Sequence, residues 1–229
     1  MSTFNNIIKD FTGSQKIGMF MIHLERAKER LPYIIDLQVR LKITVPIYPA
    51  CEGAELVRQG HPIRCITNPT GLNRSPGDIG CTVSHINICK YALANNYDHI
   101  VIFEDDCKMT GALEDLAAQL AAFRKLGLPW DLFLLGGHIT GTPIDGTPFS
   151  MAREFFLTHA CLLNRTFMKE LIALYESYYA NNTTFAIDGL YSNVLKAKKA
   201  HAYGFTSKTA FFDQYNGIYS YIVEGIRCH

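Results

Sequence analysis

The 229-residue chain lacks most of the features that would assign it to a class at a glance. No apolar run approaches the ~18–20 residues that a membrane-spanning helix needs. Neither charge dominates: 22 Lys and Arg against 21 Asp and Glu leave a net charge of +1. That balance excludes the basic excess of a protein whose main partner is nucleic acid, while leaving room for a local basic pocket. The seven cysteines are odd in number and include no Cys-x-x-Cys pair. This speaks against a disulfide framework and a thiolate zinc site, and for free thiols in a reducing compartment. Met1 to Asp10 shows no basic stretch followed by an apolar one, so no secretory signal is expected and the location expected is cytoplasmic. There is no Gly-x-x-x-x-Gly-Lys-Ser/Thr loop, and no internal repeat, low-complexity tract or linker.

What is present is ordinary globular composition, 48% hydrophobic and 19% charged, enough for one domain with a large core. Ile17 to Ile22 reads as a buried strand running into a helix, and Ile43 to Tyr48, interrupted by Pro46, as an edge strand. Cys51 to Pro76 is loop-like, with one short strand at Ile63 to Ile66. Ile79, Val83, Ile86, Cys89 and Leu93 fall on one face of a helix. His99 to Phe103 is an apolar strand. Leu113, Leu116, Leu120 and Phe123 mark a second helix, and Asp131 to Leu135 another buried strand. Gly141 to Pro148 reads as a turn-rich loop and Phe155 to Leu163 as one further strand. Helices follow at Phe167 to Tyr178 and Ala186 to Lys199. The tail from Ala202 has no clear period. Strands alternating with helices predict a layered α/β sheet.

The most informative feature is Glu104-Asp105-Asp106, directly after the most apolar strand. In an α/β sheet, ligands bind outside the carboxyl ends of the strands. Extended geometry would point Glu104 and Asp106 to one side and Asp105 to the other. Two converging carboxylates repel unless a cation lies between them, and Mg²⁺ or Mn²⁺ suits oxygen ligands of this kind. A solvated turn with one carboxylate capping the next helix is the plain alternative.

Gly77-Asp-Ile-Gly-Cys-Thr-Val-Ser-His85, then a helix, then Ile-Val-Ile-Phe-Glu-Asp-Asp106, resembles the signature of glycosyltransferase family 25. That family holds bacterial lipopolysaccharide glycosyltransferases and the galactosyltransferase domains of collagen-modifying enzymes. Weaker segments agree in order: Met21-Ile-His-Leu-Glu-Arg26 with Arg30, where His23 stands in place of the usual Asn; Asp131 to Gly136; Ala160 to Asn164; Ile187-Asp188; and Gln214 with Ser220-Tyr-Ile222.

The resemblance implies a single GT-A domain, a Rossmann-like α/β/α sandwich around a mixed, mainly parallel sheet. A donor-binding half would span about 15–137 and an acceptor and catalytic half about 138–229. It further implies an inverting, metal-dependent transfer of a hexose, galactose or glucose by family frequency. The donor would be a nucleotide diphosphate, UDP-linked by frequency, and the acceptor a hydroxyl of a glycan, glycolipid or glycoprotein. Mn²⁺ or Mg²⁺ would be held by Glu104 and Asp106, and Asp188 would be the general base. His23, Leu24, Arg26, Arg74, Ser84, His85, Glu104, Asp105, Gly136 and Gly137 would bind the donor. Arg26, Arg30 and Arg74 suit phosphate by charge, and Gly136-Gly137 would permit close backbone approach. A third metal ligand could come from His138, His159 or His201, and the aromatic tail (Phe211, Phe212, Tyr215, Tyr219, Tyr221) could line an acceptor site. Peripheral membrane association stays open. Two other readings stand beside this one: a metal-dependent nucleotidyltransferase or phosphohydrolase, and a sugar-binding domain without catalysis.

Overall fold

The structure, a computed structural model, describes residues 3–65, 74–206, 210–215, 219–220 and 225–226. In chain order the elements are α1 (Phe4–Thr12), β1 (Ile17–His23), a 3₁₀ turn (Lys28–Arg30), α2 (Leu31–Leu41), β2 (Ile47–Pro49), α3 (Gly53–Arg58), α4 (Pro76–Ala94) and β3 (His99–Glu104). They continue with β4 (Cys107–Met109), α5 (Leu113–Lys125), β5 (Leu132–Leu134), β6 (His138–Pro143), β7 (Phe149–Phe156), β8 (Ala160–Asn164), α6 (Arg165–Ala180), α7 (Ile187–Lys198), β9 (Ala202–Phe205) and β10 (Phe212–Gln214). Two two-residue strands, β11 (Tyr219–Ser220) and β12 (Gly225–Ile226), pair with each other.

Eight strands form one sheet in the order β2-β1-β3-β8-β5-β9-β7-β6. β2, β1 and β3 run parallel, β8 is reversed, β5 and β9 run with the first three, and β7 is reversed again before β6. Six of the eight strands therefore share one direction, as the mixed, mainly parallel sheet requires. Alternation along β3 sends Val101 and Phe103 to one face and Ile100 and Ile102 to the other. The first face is covered by α1, α2 and α5 through Phe4, Ile8, Leu37, Leu116 and Phe123. The second is covered by α4, α6 and α7 through Ile86, Cys89, Met168, Leu171 and Tyr191. The result is the expected α/β/α sandwich.

Burial on both faces explains why β3 reads as a continuous apolar run, and it is central, flanked by β1 and β8. β2 is an edge strand, as Pro46 predicts, but it covers Ile47–Pro49 rather than Ile43 to Tyr48. Elsewhere the structure corrects the sequence reading. Gly141 to Pro143 belong to the edge strand β6, which shifts register at Thr140/Gly141; an exposed edge strand tolerates the glycine and proline that suggested a loop. Phe155 to Leu163 is two strands, broken where Leu157 takes φ +70. Ile63 to Cys65 carry no strand, and Ile66 lies outside the described residues. α1, α3 and the strands of the tail were not anticipated. α1 is a capped amphipathic helix, with the Thr3 hydroxyl accepting from the Asn6 amide and Gly13 closing it at φ +70.

Candidate active site

β1 and β3 run parallel and adjacent, so their carboxyl ends place His23 and Glu104 side by side at one edge of the sandwich. α4 starts beneath them. The Ser75 hydroxyl accepts from the Asp78 amide at 3.1 Å and Pro76 fills the first turn. This cap sets the motif helix so that Cys81 and His85, one turn apart, face the carboxylates. Gly80 lets α4 approach the loop before α3: a Cβ there would lie 2.6 Å from the Cys51 carbonyl and 2.9 Å from the Gly53 amide.

Strand β3 ends at Glu104, and the chain turns through Asp105 and Asp106 into β4. The turn overrides the alternation expected for an extended triplet. Asp105 and Asp106 share one partner, and Glu104 has others. The Arg30 guanidinium bonds Asp105 Oδ1 and lies 3.7 Å from Asp106 Oδ2. His23 Nδ1 donates to Asp105 Oδ2 at 2.8 Å. Burial works against the Arg30 charge, but Asp105 and Asp106 outweigh it and raise its pKa. Glu104 Oε1 accepts from the Thr158 hydroxyl at 2.7 Å and lies 3.5 Å from His85 Nε2. Burial pushes its pKa up, but His85 and Thr158 prevail and hold it below the usual carboxylate range. Asp106 Oδ1 also accepts from Gln214 Nε2 at 3.4 Å, reached through the β10–β4 pairing.

Two cavities meet here. The smaller, about 130 Å³, is lined by Leu24, Arg26, Arg30, Ser84, Glu104, Asp105 and Asp106, and floored by the Gly53–Gly80 contact. The larger, about 520 Å³, is lined by Arg74, Asp78, Glu104, Phe155, Thr158 and Asp188, with Phe185, Asn193 and Lys196 on its far wall. Cys81 and Glu104 belong to both. Asp188 is the second residue of α7, its Oδ1 accepting from the Gly189 amide at 2.7 Å. Its pKa is raised, first by burial and then by Asp78 and Glu104, against the pull of Gly189 and Arg74.

Several of the expected site residues have partners within the protein. The Ser84 hydroxyl donates to the Gly80 carbonyl at 2.7 Å and accepts from the Cys51 amide at 2.8 Å, which ties α4 to the loop before α3. His85 is fully buried and lines neither cavity; it acts through Glu104. His23 bonds Asp105 from outside both cavities, and the Arg30 guanidinium bonds Asp105 from the wall of the smaller one. Arg26 pairs with Glu52 at the rim, at 2.8 Å. Gly136 and Gly137 line neither cavity. A Cβ on Gly136 would meet His159 Nε2 at 2.5 Å, and Gly137 has φ +117, so internal crowding explains both. His201 precedes β9, at the opposite end of the strands from Glu104, and pairs with Asp131. His138 and His159 line a separate hollow of about 230 Å³ with Asp213. Phe212 packs on Phe4 and Phe103 in the core, and Tyr215 stacks on Tyr33 at 4.3 Å while its hydroxyl donates to Asp36. The aromatic groups on the larger cavity are instead Phe155, Phe156 and Phe185. The side chain of Tyr219, and Tyr221 and Ile222 entirely, lie outside the described residues.

Sequence reasoning missed Cys81, Thr158 and Tyr191. Cys81 was inside the quoted motif, and Tyr191 follows Asp188 by one helical turn. Thr158 carried no signal, because its position depends on the break between β7 and β8.

The donor set suits a hard divalent cation. Glu104, Asp105 and Asp106 offer oxygen ligands, the kind such an ion takes. The Cys81 thiol does not belong to that set: burial, reinforced by the neighbouring carboxylates, raises its pKa well above the ordinary value.

An open α/β sandwich that gathers charged groups in a cleft beyond the carboxyl ends of its strands belongs to the broad class of α/β proteins that bind ligands at that end of the sheet. Within that class, residues 16–140 match Glycosyltransferase family 25 (LPS biosynthesis protein), and the chain belongs to that family. It is 28% identical over 113 residues to the "Probable inactive glycosyltransferase 25 family member 3" of Bos taurus, covering 45% of this chain and 18% of that protein. It is 30% identical over 142 residues to a "Glycosyltransferase 25 family member" of Aedes aegypti, covering 56% of this chain and 22% of that protein. The chain thus spans about a fifth of the length of these relatives. Among solved structures it is similar to a glycosyltransferase involved in glycosylation of the major capsid of PBCV-1, with TM-score 0.48, 10% identity, and coverage of 88% of this chain and 93% of that one. Among the described residues, no helix is long and apolar enough to cross a membrane.

Proposed function

We propose that the chain is a metal-dependent inverting glycosyltransferase, with a nucleotide-diphosphate sugar as donor and a glycan or glycoconjugate hydroxyl as acceptor. The observation that carries this reading is the meeting of the two cavities at Glu104 and Cys81, with Asp188 on the wall of the larger. The smaller cavity, built wholly from residues between Ile22 and Asp106, takes the donor. The larger draws on both halves of the chain and takes the acceptor. The sugar's anomeric carbon then lies near the junction.

Asp188 removes the proton from the attacking hydroxyl as the bond to the diphosphate breaks on the opposite face, which inverts the centre. Its raised pKa matches the task, since a base of moderate strength can hold the proton it takes. Glu104 and Asp106 would hold Mn²⁺ or Mg²⁺, which would supply Lewis-acid stabilisation of the departing diphosphate. Arg30, with His23, fixes Asp105 and keeps the acidic turn in place. His85 and Thr158 do the same for Glu104. A UDP-linked hexose is the donor we favour.

The test is product analysis. The protein is incubated with UDP-, GDP- and CMP-linked sugars, glycan acceptors and Mn²⁺, and the mixture is read by mass spectrometry. Sugar on an acceptor, lost on chelation, supports the proposal. Release of phosphate or nucleotide with no sugar transferred supports hydrolysis or nucleotidyl transfer instead. No consumption of any donor by folded protein would place the chain beside the relative whose name marks it as inactive.

A further inference from the structure

The residues where the two cavities meet form a second kind of ligand set. Cys81 Sγ, a ring nitrogen of His85 and a carboxylate oxygen of Glu104 all lie within 4.8 Å of one another. Around a tetrahedral zinc ion, with bonds of about 2.0–2.3 Å, ligand atoms sit about 3.5 Å apart. His85 Nε2 and Glu104 Oε1 already have that spacing, at 3.5 Å, and the thiol lies within 4.8 Å of both residues' ligand atoms. His85 Nε2 is fully buried and makes no hydrogen bond of normal geometry. The other ring nitrogen, Nδ1, lies 3.0 Å from the Tyr191 hydroxyl. That is the outer partner a metal-bound histidine uses to fix its tautomer, with Nδ1–H donating outward and the Nε2 lone pair turned to the metal. Cys81 and Glu104 line both cavities, so a fourth position opens to solvent.

We propose that Cys81, His85 and Glu104 form a binding site for a soft or borderline divalent metal of the Zn²⁺ class, with an open fourth position at the junction of the two cavities. Binding releases the thiol proton to solvent and places thiolate, imidazole and carboxylate on the ion. This set is distinct from the oxygen set of Glu104 and Asp106, because it needs the thiol, and the two cannot share Glu104 fully. Zn²⁺ bound here fills the junction and competes with a hard cation for that carboxylate. The site stands on its own ligand atoms, whether or not the chain transfers sugar.

The probe is Co²⁺, whose thiolate complexes show a charge-transfer band in the near ultraviolet, with Zn²⁺ titrated in to displace it. Wild-type protein is expected to show the band and to lose it on adding Zn²⁺. Cys81→Ser is expected to lose the band, with its fold verified by circular dichroism. Cys51→Ser, which alters the other thiol of the smaller cavity, is expected to keep it. Losing a ligand should lower Zn²⁺ affinity by about 100-fold or more, since outer partners alone are worth about 10–100-fold. Tyr191→Phe keeps the ring packing and is expected to weaken binding by about 10-fold or more. No band in the wild type, or a band that survives Cys81→Ser, overturns the proposal.

Discussion

Replacing Arg30 by Met is the perturbation that the acidic turn should feel most. The Arg30 side chain is 10% exposed, and those of Asp105 and Asp106 are 7% and 6% exposed. Met retains most of the stem and removes the charge. What remains is two buried carboxylates without their shared guanidinium. Breaking a buried ion pair by removing one partner costs about 3–5 kcal/mol, against about 0–1 kcal/mol for an exposed pair. Total stability for a domain is about 5–15 kcal/mol, so the loss is a large fraction of it. For a chain of this length, about 2–4 °C per kcal/mol gives a fall in Tm of about 6–20 °C. Scanning calorimetry with urea unfolding measures it. The double variant Arg30→Met/Asp105→Asn should recover part of the loss, because it removes one of the two carboxylates that Arg30 faces, and the cycle should show coupling of about 1 kcal/mol or more. A loss below about 1 kcal/mol in the single variant would mean that solvent or another cation already screens the turn, and the reasoning would fail.

Three further outcomes follow from the same geometry. Asp188→Asn should lower kcat by about 10²–10⁴-fold while leaving donor binding intact, because Asn keeps the bond to the Gly189 amide but cannot take a proton. The folded-state pKa of Asp188 is raised, so its contribution to stability is present below the unfolded value and is lost as pH rises through the folded one. Asp188→Asn should therefore be at least as stable as wild type at neutral pH, and the wild-type rate should fall in acid at a pH above that of an ordinary Asp. Ser75→Ala should cost about 1 kcal/mol in urea unfolding by stripping the cap from α4. Gly80→Ala should cost more, because its Cβ would meet backbone atoms of Cys51 and Gly53 and push α4 away from α3; a variant as stable as wild type would contradict that close approach.

The sandwich was legible because its signals are local. Ile100 to Phe103 and Leu132 to Leu135 are apolar throughout, as doubly covered strands must be, and Ile79 to Cys89 repeat at helical spacing. The edge strand β6 was not legible, since Gly141 and Pro143 read as breakers where exposure makes them harmless. The motifs pointed to residues that do line cavities: Glu104, Asp105 and Asp106 the smaller, Glu104 and Asp188 the larger. Roles were less legible. Which carboxylate Arg30 holds depends on a turn of two residues, and whether Ser84 faces a ligand depends on Cys51, 33 positions away. Partners of that kind are set by packing rather than by spacing.

The most direct test of the central claim is calorimetric titration of UDP-, GDP- and CMP-linked sugars into the protein, with Mn²⁺ and with chelator, repeated on Asp106→Ala. The account predicts that one donor binds with Mn²⁺, and that both chelation and Asp106→Ala abolish its binding. Binding that persists without metal or in Asp106→Ala, or no binding to any donor by folded protein, would contradict it.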